Sequence, residues 1–555
     1  MNKKTNITES NIYDGYKPIL IFIGILILIY AKNLGFTFSY LDDDLLIINN
    51  APFFNNNSWS DVFSRDVFLN GLSAFYRPIQ AFFYYVVYNI WEGAPSGFFL
   101  FNIVIHIGTV ISLFYLLLEL SIERKTSFWV TLFYALNPLF VHSISWIPSS
   151  GDLLMGFTLT LSFIFFLKSM KEDNVTMTAL HVFFFGIGLF TKESMILFPI
   201  IPSIYYFLSD NNKLSKKQFN YSVIGWIILV IFYFMARSNS VDMARADETF
   251  SFSFIFEHIY AIPELIFKFF APIGLSPAPR FANFKVIGGL LLLAALVGLI
   301  YKSKDIKNPI FIFGLFWSIV ILIPTLAFKH QLSNQTYQYL EHRAYVPFLG
   351  LIPILGLLIQ KYKLIDNKNF LYFLIAYTAI FGLYSYVYSF NYKNPDKFYG
   401  RVIAVNPNDP MAHYNRGVSR HQKGRIDEAL NDYNRALELK PDYQTVHNNR
   451  AIAYSIKKQF ELAIPEFTKA IEYNPNFADF YTNRANAYAS LKDYEKALAD
   501  YDKSISLRPN DGKTYFYRSN VKFILGLKDD ACADTRKAIE LGYQKANEIY
   551  NKYCR

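Results

Sequence analysis

Residues 17–50 read KPILIFIGILILIYAKNLGFTFSYLDDDLLIINN. The stretch opens with a hydrophobic segment long enough to cross a bilayer, and the segment has no small-residue cleavage site, so we predict an uncleaved membrane anchor. Three consecutive acids, Asp42, Asp43 and Asp44, follow shortly after it. Acidic side chains are costly to desolvate at the mouth of a bilayer and commonly mark a functional site there. This stretch therefore predicts a membrane protein with an acidic site at the membrane surface.

The composition divides the 555 residues into two unlike parts. The chain is 53% hydrophobic and only 18% charged, and residues 17–391 are rich in Phe, Ile, Leu and Tyr. From Asn394 onward the polar and charged residues return to the frequency of a soluble protein. The net charge of +10 comes from basic residues spread over short loops between hydrophobic segments. That distribution indicates membrane topology and disfavours a nucleic-acid partner.

Eleven segments are long and apolar enough to be predicted as membrane spans. They are 18–36, 97–118, 127–142, 152–168, 177–191, 194–208, 219–236, 284–301, 309–328, 344–360 and 369–389. A twelfth apolar stretch, 78–91, is short and begins directly after Arg77. If it lies along the surface as an amphipathic helix, the Lys- and Arg-rich segments between the spans all fall on one side of the membrane, as the positive-inside rule requires.

This topology predicts an all-α, polytopic membrane bundle over residues 18–391 with a cytoplasmic segment at 1–17. The first outer loop is then 37–96, and the odd number of spans places the C-terminal part outside the cytoplasm. The richness in Lys, Asn and Ile suggests a bacterial source, in which the membrane would be the inner membrane and the outer side the periplasm.

A 34-residue repeat begins at Pro410. Three positions of the unit recur, namely a small residue, an alanine and a proline that ends the second helix. They are Gly417, Ala451, Ala485 and Ser519; Ala429, Ala463, Ala497 and Ala531; and Pro441, Pro475 and Pro509. This is the tetratricopeptide pattern. It predicts a linker at 392–409, four repeats of an α-solenoid over 410–545 and a helical extension at 546–555.

Asn415, Asn449 and Asn483 occupy the same position in three successive repeats. An amide both donates and accepts hydrogen bonds, so a row of amides in the groove of the solenoid would bind the backbone of an acceptor peptide. The alternative is that these side chains contact only water. The two cysteines, Cys532 and Cys554, could pair in an oxidising compartment or remain free, and the sequence leaves both open.

Polar residues gather at the predicted outer ends of the spans. They are Arg77, His142, Asp152, Lys192, Glu193, Glu341, His342, Arg343 and Tyr345. Each alone could be an interface anchor or part of an intramolecular ion pair, and the acids could cap a helix in a solvated loop. Several converging on one side predict a site at the membrane surface that holds an anionic headgroup and supplies a carboxylate as a base.

Short motifs resemble the transmembrane and tetratricopeptide repeat O-mannosyltransferase family of the C-type glycosyltransferase (GT-C) superfamily, nearly from end to end. The matching residues are Asp42, Asp43, Ile47 and Asn50; Tyr76, Arg77 and Pro78; Asn102 and His106; Lys192 and Glu193; and Glu341, Tyr345, Pro347 and Gly350. The chain departs from the family before the fourth span, where a His, a Glu and an Arg are replaced by Asn137, His142 and Ser150.

The resemblance implies an inverting transfer of a sugar, mannose or another hexose, from a polyprenyl-phosphate donor in the membrane to Ser or Thr of a protein. Asp42 or Asp43 would be the general base, and Arg77, Lys192 and Arg343 would bind the donor phosphate. Further site residues would be Asp44, Asn50, Tyr76, His106, Asp152, Glu193, Glu341 and Tyr345. The resemblance leaves open whether a divalent metal is needed.

Two other functions fit the same sequence. One is a non-catalytic scaffold whose membrane anchor displays the repeats, although anchoring explains neither the acids nor the long aromatic outer loops. The other is a GT-C transferase that modifies a lipid or a polysaccharide. A transporter is disfavoured because the acids cluster at one surface, whereas a carrier binds its substrate near the middle of the membrane.

Overall fold

The computed structural model describes residues 12–39, 43–69, 75–209, 214–241, 253–279, 282–304, 307–327, 330–332, 335–337 and 341–555. The chain divides into two compact units, Met1–Arg401 and Val402–Arg555. Within the described residues the only strands are a short antiparallel pair, His330–Leu332 and Gln335–Tyr337. All other regular structure there is helical, which confirms the predicted all-α fold.

The first unit contains nineteen described α-helices, the last of which crosses the boundary between the units. They are α1 Lys17–Tyr30, α2 Ala51–Asn56, α3 Pro78–Trp91, α4 Pro95–Glu119, α5 Arg124–Ala135, α6 Val141–Ser145, α7 Ser150–Glu172, α8 Val175–Thr191, α9 Ile200–Leu208, α10 Lys216–Ser240, α11 Ser253–His258, α12 Ala261–Phe270, α13 Asn283–Lys302, α14 Pro309–Val320, α15 Ile323–Leu326, α16 Tyr345–Phe348, α17 Leu351–Lys361, α18 Lys368–Ser389 and α19 Pro395–Val405. Shorter turns include the 3₁₀ segments Pro138–Phe140, Glu193–Leu197 and Glu341–Ala344 and the π-turn Asp44–Ile48.

Six helices of the described residues are long and apolar enough to cross a membrane, so the chain is an integral membrane protein. They are Lys17–Gly35, Pro95–Glu119, Ile147–Glu172, Lys216–Ser240, Asn283–Lys302 and Lys368–Tyr392. Two bent pairs each pass the same test, Arg124–Ala135 with Pro138–Ser145 and Glu341–Phe348 with Leu351–Lys361. Three shorter apolar helices are Val175–Thr191, Glu193–Leu208 and Pro309–Val320. Every predicted span coincides with one of these, while the number of crossings stays a prediction.

The first bent pair turns by 46° at Asn137 and Pro138. Proline cannot continue the helix because it lacks the amide hydrogen, but it suits the first turn of a new one. The Asn137 side chain caps that turn by accepting from the Leu139 amide, and its Nδ2 donates to the carbonyl of Phe269 at 2.9 Å. The short helix α6, which carries His142, follows this bend.

Helix α3 has the bounds that the sequence predicts for the surface helix. Pro78 occupies its first turn, and it ends where Glu92 adopts a left-handed conformation followed by Gly93. Gln80 and Tyr84 are buried against the turn before α7, whereas Ile90 and Trp91 are exposed. Its position along the membrane surface stays a prediction.

Close helix contacts depend on glycine at two places. An added Cβ at Gly289 of α13 would lie 1.7 Å from the carbonyl oxygen of Pro263 in α12. Gly314 of α14 and Gly350 before α17 face each other, and an added Cβ on either would lie within 2.7 Å of the other's carbonyl oxygen. Hydrogen replaces a side chain at both contacts, so the backbones pack at distances that no larger residue permits.

The second unit is a solenoid of four helix pairs and a final helix. They are α20 Pro410–Gln422 with α21 Ile426–Leu439, α22 Gln444–Ile456 with α23 Phe460–Tyr473, α24 Ala478–Ser490 with α25 Tyr494–Leu507, α26 Gly512–Ile524 with α27 Lys528–Glu540, and α28 Ala546–Tyr553. The repeated alanines and the aromatic residues Tyr433, Phe467 and Tyr501 form its core. Cys532 of α27 and Cys554 form a disulfide that ties the end of the chain to the last repeat.

One arginine per repeat joins neighbouring helices of the solenoid. Each arginine pairs with an acid sixteen residues later, on the second helix of its own repeat. These pairs are Arg416–Asp432, Arg450–Glu466, Arg484–Asp500 and Arg518–Asp534. Three of them also donate sixteen residues back, to the preceding repeat, at Asn434, Thr468 and Asp502. We name this row the arginine ladder.

Candidate active site

Asp43 follows the first membrane helix and has a buried side chain, 1% exposed. Its Oδ2 atom accepts from the backbone amide of Ser39 at 2.6 Å and from the Ser39 hydroxyl at 2.7 Å. The Nε1 atom of Trp146 donates to the same hydroxyl at 3.1 Å. These bonds fix the carboxylate and link it to the turn before α7. Asp42 lies outside the described residues, as does the side chain of Asp44.

Arg77 and Glu193 form a bidentate ion pair. The Nε and Nη2 atoms of Arg77 donate to the two carboxylate oxygens at 2.8 and 2.6 Å, and the guanidinium lies over the ring of Phe75. Burial opposes the charge of Arg77, but Glu193 and Asp152 outweigh it and raise the Arg77 pKa. The adjacent Tyr76 is buried and its hydroxyl donates to the carbonyl of Phe63.

Asp152 and Lys192 form a second, more deeply buried ion pair, with Lys192 Nζ 2.5 Å from Asp152 Oδ1. The other carboxylate oxygen lies 3.8 Å from Nε2 of His342. The charges of Arg77 and Arg343 also act on Lys192. The three predicted phosphate ligands therefore lie within electrostatic range of one another, and Lys192 is paired with a buried acid.

Tyr84 of α3 connects these charges with Asp43. Its hydroxyl lies 2.7 Å from the Ser150 hydroxyl and 3.2 Å from the Ile147 carbonyl, to which it donates. Burial raises the Tyr84 pKa, and the charges of Asp43 and Arg77 act on the hydroxyl in opposite directions. Asp43 and Arg77 thus lie within electrostatic range of one hydroxyl group.

Two histidines and a tryptophan lie between the Asp43 and Asp152 groups. The ring centre of His142 lies 4.9 Å from that of Trp146, 4.8 Å from that of His342 and 5.3 Å from that of Tyr392. Trp146 leads to Asp43 through Ser39, and His342 leads to Asp152. We name the assembled group the polar cluster; it consists of Asp43, Arg77, His142, Asp152, Lys192, Glu193, His342 and Arg343.

Glu341 belongs to a separate buried network. Its Oε1 lies 2.7 Å from Lys268 Nζ, and its Oε2 accepts from the Ser276 amide. Lys268 also contacts Glu264, which in turn lies 3.7 Å from Lys285. This network anchors the short turn Glu341–Ala344, whose next residues are His342 and Arg343. Glu341 therefore holds the turn that carries His342 and Arg343, and its predicted place in the site stays a prediction.

His106 and Tyr345 lie in the interior of the helical bundle. The Nδ1 atom of His106 is 2.7 Å from the Tyr345 hydroxyl, its Nε2 is 3.2 Å from the Ala135 carbonyl, and both side chains are buried. Asn50 donates to the carbonyl of Leu46 within its own turn. These three predicted site residues make contacts that join helices or close a turn, so the structure accounts for them without a substrate.

The described residues contain no group of three or more His, Cys, Asp or Glu side chains arranged to hold a metal ion.

In the solenoid, hydrogen bonds connect part of the row of amides formed by Asn415, Asn449 and Asn483. Asn483 donates to Asn448 at 3.0 Å, Asn448 donates to Asn449 at 3.2 Å, and Asn449 donates to the Tyr414 hydroxyl. Asn415 is half-buried at the equivalent position of α20.

A groove of about 330 Å³ lies beside Asn483. Its apolar wall comes from the second repeat and includes Ile456 and Phe460, and its polar wall comes from the third repeat and includes Asn486. The groove has the chemistry to hold an extended peptide.

Three family models of the tetratricopeptide repeat match residues 419–457, 445–477 and 478–511. The C-terminal unit is a tetratricopeptide repeat array. The chain is 24% identical over 200 residues to the human protein O-mannosyl-transferase TMTC3, a match that covers 34% of this chain and 21% of that protein. It is 26% identical over 171 residues to the protein O-mannosyl-transferase F38B6.6 of Caenorhabditis elegans, covering 29% of this chain and 24% of that protein.

The predicted resemblance to the transmembrane and tetratricopeptide repeat O-mannosyltransferases is thereby confirmed. The chain nevertheless matches less than a quarter of the length of these curated relatives. Among solved structures, MamA has a TM-score of 0.26 and 24% identity over 28% of this chain and 90% of that chain. YrrB, described as a tetratricopeptide repeat protein with an unusual peptide-binding site, has a TM-score of 0.26 and 22% identity over 28% of this chain and 79% of that chain. Structural matches with TM-scores this low support no conclusion about function.

Some residues of the site were not predicted from the sequence. Ser39 and Trp146 hold Asp43, yet neither is charged and neither belongs to a motif of the family resemblance. The Trp146 indole is a donor-only group next to a bend, which is a weak signal in one sequence. The arginine ladder was also missed, although an arginine recurs directly after each position of the amide row.

Proposed function

We propose that this chain transfers a sugar, mannose or another hexose, from a polyprenyl-phosphate donor to Ser or Thr hydroxyls of proteins outside the cytoplasm. The observation that carries the proposal is the buried Asp43 carboxylate, fixed by Ser39 and linked through Trp146 to a cluster of cations. The names of the relatives, both O-mannosyl-transferases, support the choice of reaction and sugar.

Asp43 would act as the general base. Direct displacement with inversion requires a carboxylate within hydrogen-bond reach of the acceptor hydroxyl. The two bonds from Ser39 both reach Oδ2, so they hold the carboxylate in one orientation at low cost during the reaction. A carboxylate that is already oriented loses little freedom when the acceptor arrives.

Lys192, Arg77 and Arg343 would stabilise the leaving lipid phosphate. The phosphate gains negative charge as the glycosidic bond breaks, and preorganised cations stabilise that charge best in a site with little water. Asp152 and Glu193 balance two of these cations before the donor binds. They keep the cations in place and limit the cost of burying their charge.

The repeats would bring the polypeptide acceptor to the membrane unit. Amide side chains suit acceptors of varied sequence because they bind the peptide backbone. The disulfide between Cys532 and Cys554 supports an extracytoplasmic location, since disulfides persist mainly in oxidising compartments. In a bacterial cell this location would be the periplasm, with the membrane unit in the inner membrane.

The proposal is tested by replacing Asp43 with Asn in the full chain. Purified protein in detergent is incubated with radiolabelled polyprenyl-phosphate mannose and an acceptor protein, and transfer to protein is measured. We expect Asp43→Asn to lower transfer by about 100-fold or more, within the range lost when a general base is removed. Glu92→Gln, which changes an exposed acid after α3, is the control and should retain full transfer.

Two outcomes would favour the other functions. Absence of transfer by the unmodified protein, with binding of partners intact, favours the scaffold, whereas unchanged transfer by Asp43→Asn would mean that another group is the base. If the protein still transfers sugar to a lipid or polysaccharide acceptor after deletion of residues 402–555, the result favours a GT-C transferase with a different acceptor. Comparing intact masses of proteins from cells with and without the gene would then identify the mass of the transferred sugar.

A further inference from the structure

His142 is buried and lacks protein partners for its ring nitrogens. Its side chain is 1% exposed, and neither Nδ1 nor Nε2 has a hydrogen-bond partner among the described residues. Two other buried histidines of the membrane bundle differ in this respect. His106 and His181 each use both ring nitrogens in contacts with protein groups. Leaving a buried polar group unsatisfied costs about 1–3 kcal/mol, so such a group indicates a missing ligand.

The position of His142 identifies where that ligand would sit. The imidazole contacts Trp146, which leads through Ser39 to Asp43, and His342, which leads to Asp152. A molecule that reached His142 would thus lie between the proposed base and the proposed phosphate ligands. In a transfer reaction the group between the base and the leaving phosphate is the sugar.

The chemistry of the imidazole agrees with a hydroxyl ligand. The surrounding rings of Trp146, His342 and Tyr392 favour the neutral form, because burying an unpaired charge is costly. A neutral imidazole has one donor and one acceptor nitrogen, and a hydroxyl group can accept from the first or donate to the second. A phosphate oxygen only accepts hydrogen bonds, and the nearby cations Lys192, Arg77 and Arg343 can donate them.

We propose that His142 binds a sugar hydroxyl of the lipid-linked donor, an assignment that rests on the proposed function. His142 is a binding residue in this proposal and takes no proton from the acceptor. It stands where the resembling family carries a Glu, so this chain would recognise its sugar with a neutral group in place of a charged one.

The test compares two probes that differ only in the sugar, polyprenyl-phosphate mannose and sugar-free polyprenyl phosphate. Their affinities are measured with the full chain in detergent. His142→Phe keeps the ring and removes both nitrogens, and we expect it to weaken binding of the mannose-bearing lipid about 5- to 100-fold. Binding of the sugar-free lipid should stay unchanged. His142→Gln retains a donor and an acceptor and should recover most of the lost affinity.

His181→Phe is the matched control, because His181 is equally buried but has protein partners. It should lower thermal stability and leave the ratio of the two affinities unchanged. An equal loss for both probes with His142→Phe would overturn the proposal in favour of a phosphate contact. No loss for either probe would overturn it in favour of a bound water.

The proposed function can fail separately. If Asp43→Asn retains full transfer, the catalytic assignment is wrong, while the ratio of the two affinities still reports on His142. If the unmodified protein binds the mannose-bearing lipid no more tightly than the sugar-free lipid, the His142 proposal is overturned even if Asp43 is essential.

Discussion

At the scale of single residues, two cations of the polar cluster, Arg77 and Lys192, are each paired with an acid of the protein. Lys192 and Asp152 have side chains only 9% and 8% exposed. Breaking such a pair leaves an uncompensated charge, whereas removing both charges costs much less. Stability and function should therefore respond differently to the same substitutions.

Lys192→Met should lower the stability of the membrane unit by about 3–5 kcal/mol, because it leaves Asp152 charged and buried. Adding Asp152→Asn should restore most of that stability but not sugar transfer. Thermal unfolding and transfer are measured on the same preparations. Lys171→Met, at a partly exposed pair with Glu119, is the control and should cost less than about 1 kcal/mol. Equal costs for Lys192→Met and Lys171→Met would contradict the prediction.

Asp432 gives the repeats a dependence on pH. Burial opposes its ionisation, but His413, Arg416 and Arg420 outweigh burial and hold the Asp432 pKa below its usual range. A carboxylate with a lowered folded pKa stabilises the fold above its unfolded pKa of about 3.9, and this contribution is lost as the pH falls through the folded value.

We therefore expect acidification below about pH 4 to lower the hydrogen-exchange protection factors of α20 and α21 in the unmodified chain, that is, the protection relative to the intrinsic exchange rate at each pH. Asp432→Asn should show faster exchange at neutral pH and a smaller change on acidification. Asp442→Asn, an exposed acid in the following turn, is the control. A pH response in Asp432→Asn as large as in the unmodified chain would refute the assignment.

At the scale of secondary-structure elements, the contact between α12 and α13 depends on one hydrogen atom. Gly289→Ala would place a methyl group against the Pro263 carbonyl oxygen, and the backbones would have to separate. Overpacking of this kind costs about 1–3 kcal/mol or more. Gly298→Ala lies in the same helix with no atom within 4 Å of the added Cβ. Thermal unfolding should show a loss for Gly289→Ala alone; similar stability of the two variants would show that α13 can shift freely.

The arginine ladder joins the repeats at a single side-chain position. Arg484 donates to both oxygens of Asp500 at 2.8 Å and to Thr468 of the preceding repeat at 3.0 Å. Arg484→Met should therefore speed hydrogen exchange in α23 as well as α25. Arg484→Lys should rescue little, because an ammonium group cannot reproduce the planar fork of bonds.

Arg435→Met removes an exposed arginine of the same solenoid and should leave exchange in both helices unchanged. Faster exchange confined to α25 after Arg484→Met would mean that the bond to Thr468 contributes nothing.

Several elements could be predicted because the physical cause lies within a short stretch of sequence. Pro78 begins α3 and Glu92–Gly93 ends it, and the 34-residue period places every helix pair of the solenoid. The polar cluster was predicted only in part, because its members come from five distant segments. The pairing of Arg77 with Glu193 joins residues 116 positions apart, and no local pattern marks it.

At the scale of the whole molecule, the disulfide provides a test of topology. Cys532 and Cys554 are the two cysteines of the chain and are joined. When only the extracytoplasmic face of the membrane is accessible, a membrane-impermeant thiol reagent should label the protein only after treatment with a membrane-impermeant reductant. In inverted membrane vesicles the same treatment should give no label.

Labelling without reductant would show free thiols, and labelling restricted to inverted vesicles would place the repeats in the cytoplasm. Either result would remove the proposed route by which the acceptor reaches Asp43. A Cys532→Ser and Cys554→Ser double variant controls for unspecific reaction.

The ladder and the disulfide leave the two ends of the solenoid unequal. The hydrogen bonds of Arg416 within the described residues all go to Asp432, so the first repeat has no rung to an earlier one. The last repeat is closed covalently by Cys532 and Cys554. Under mechanical force or mild denaturant, the array should therefore unfold from Pro410 toward the C-terminus, because only its C-terminal repeat is closed by a covalent bond. The repeat that follows the membrane unit in the chain would then be the first to open around an incoming polypeptide.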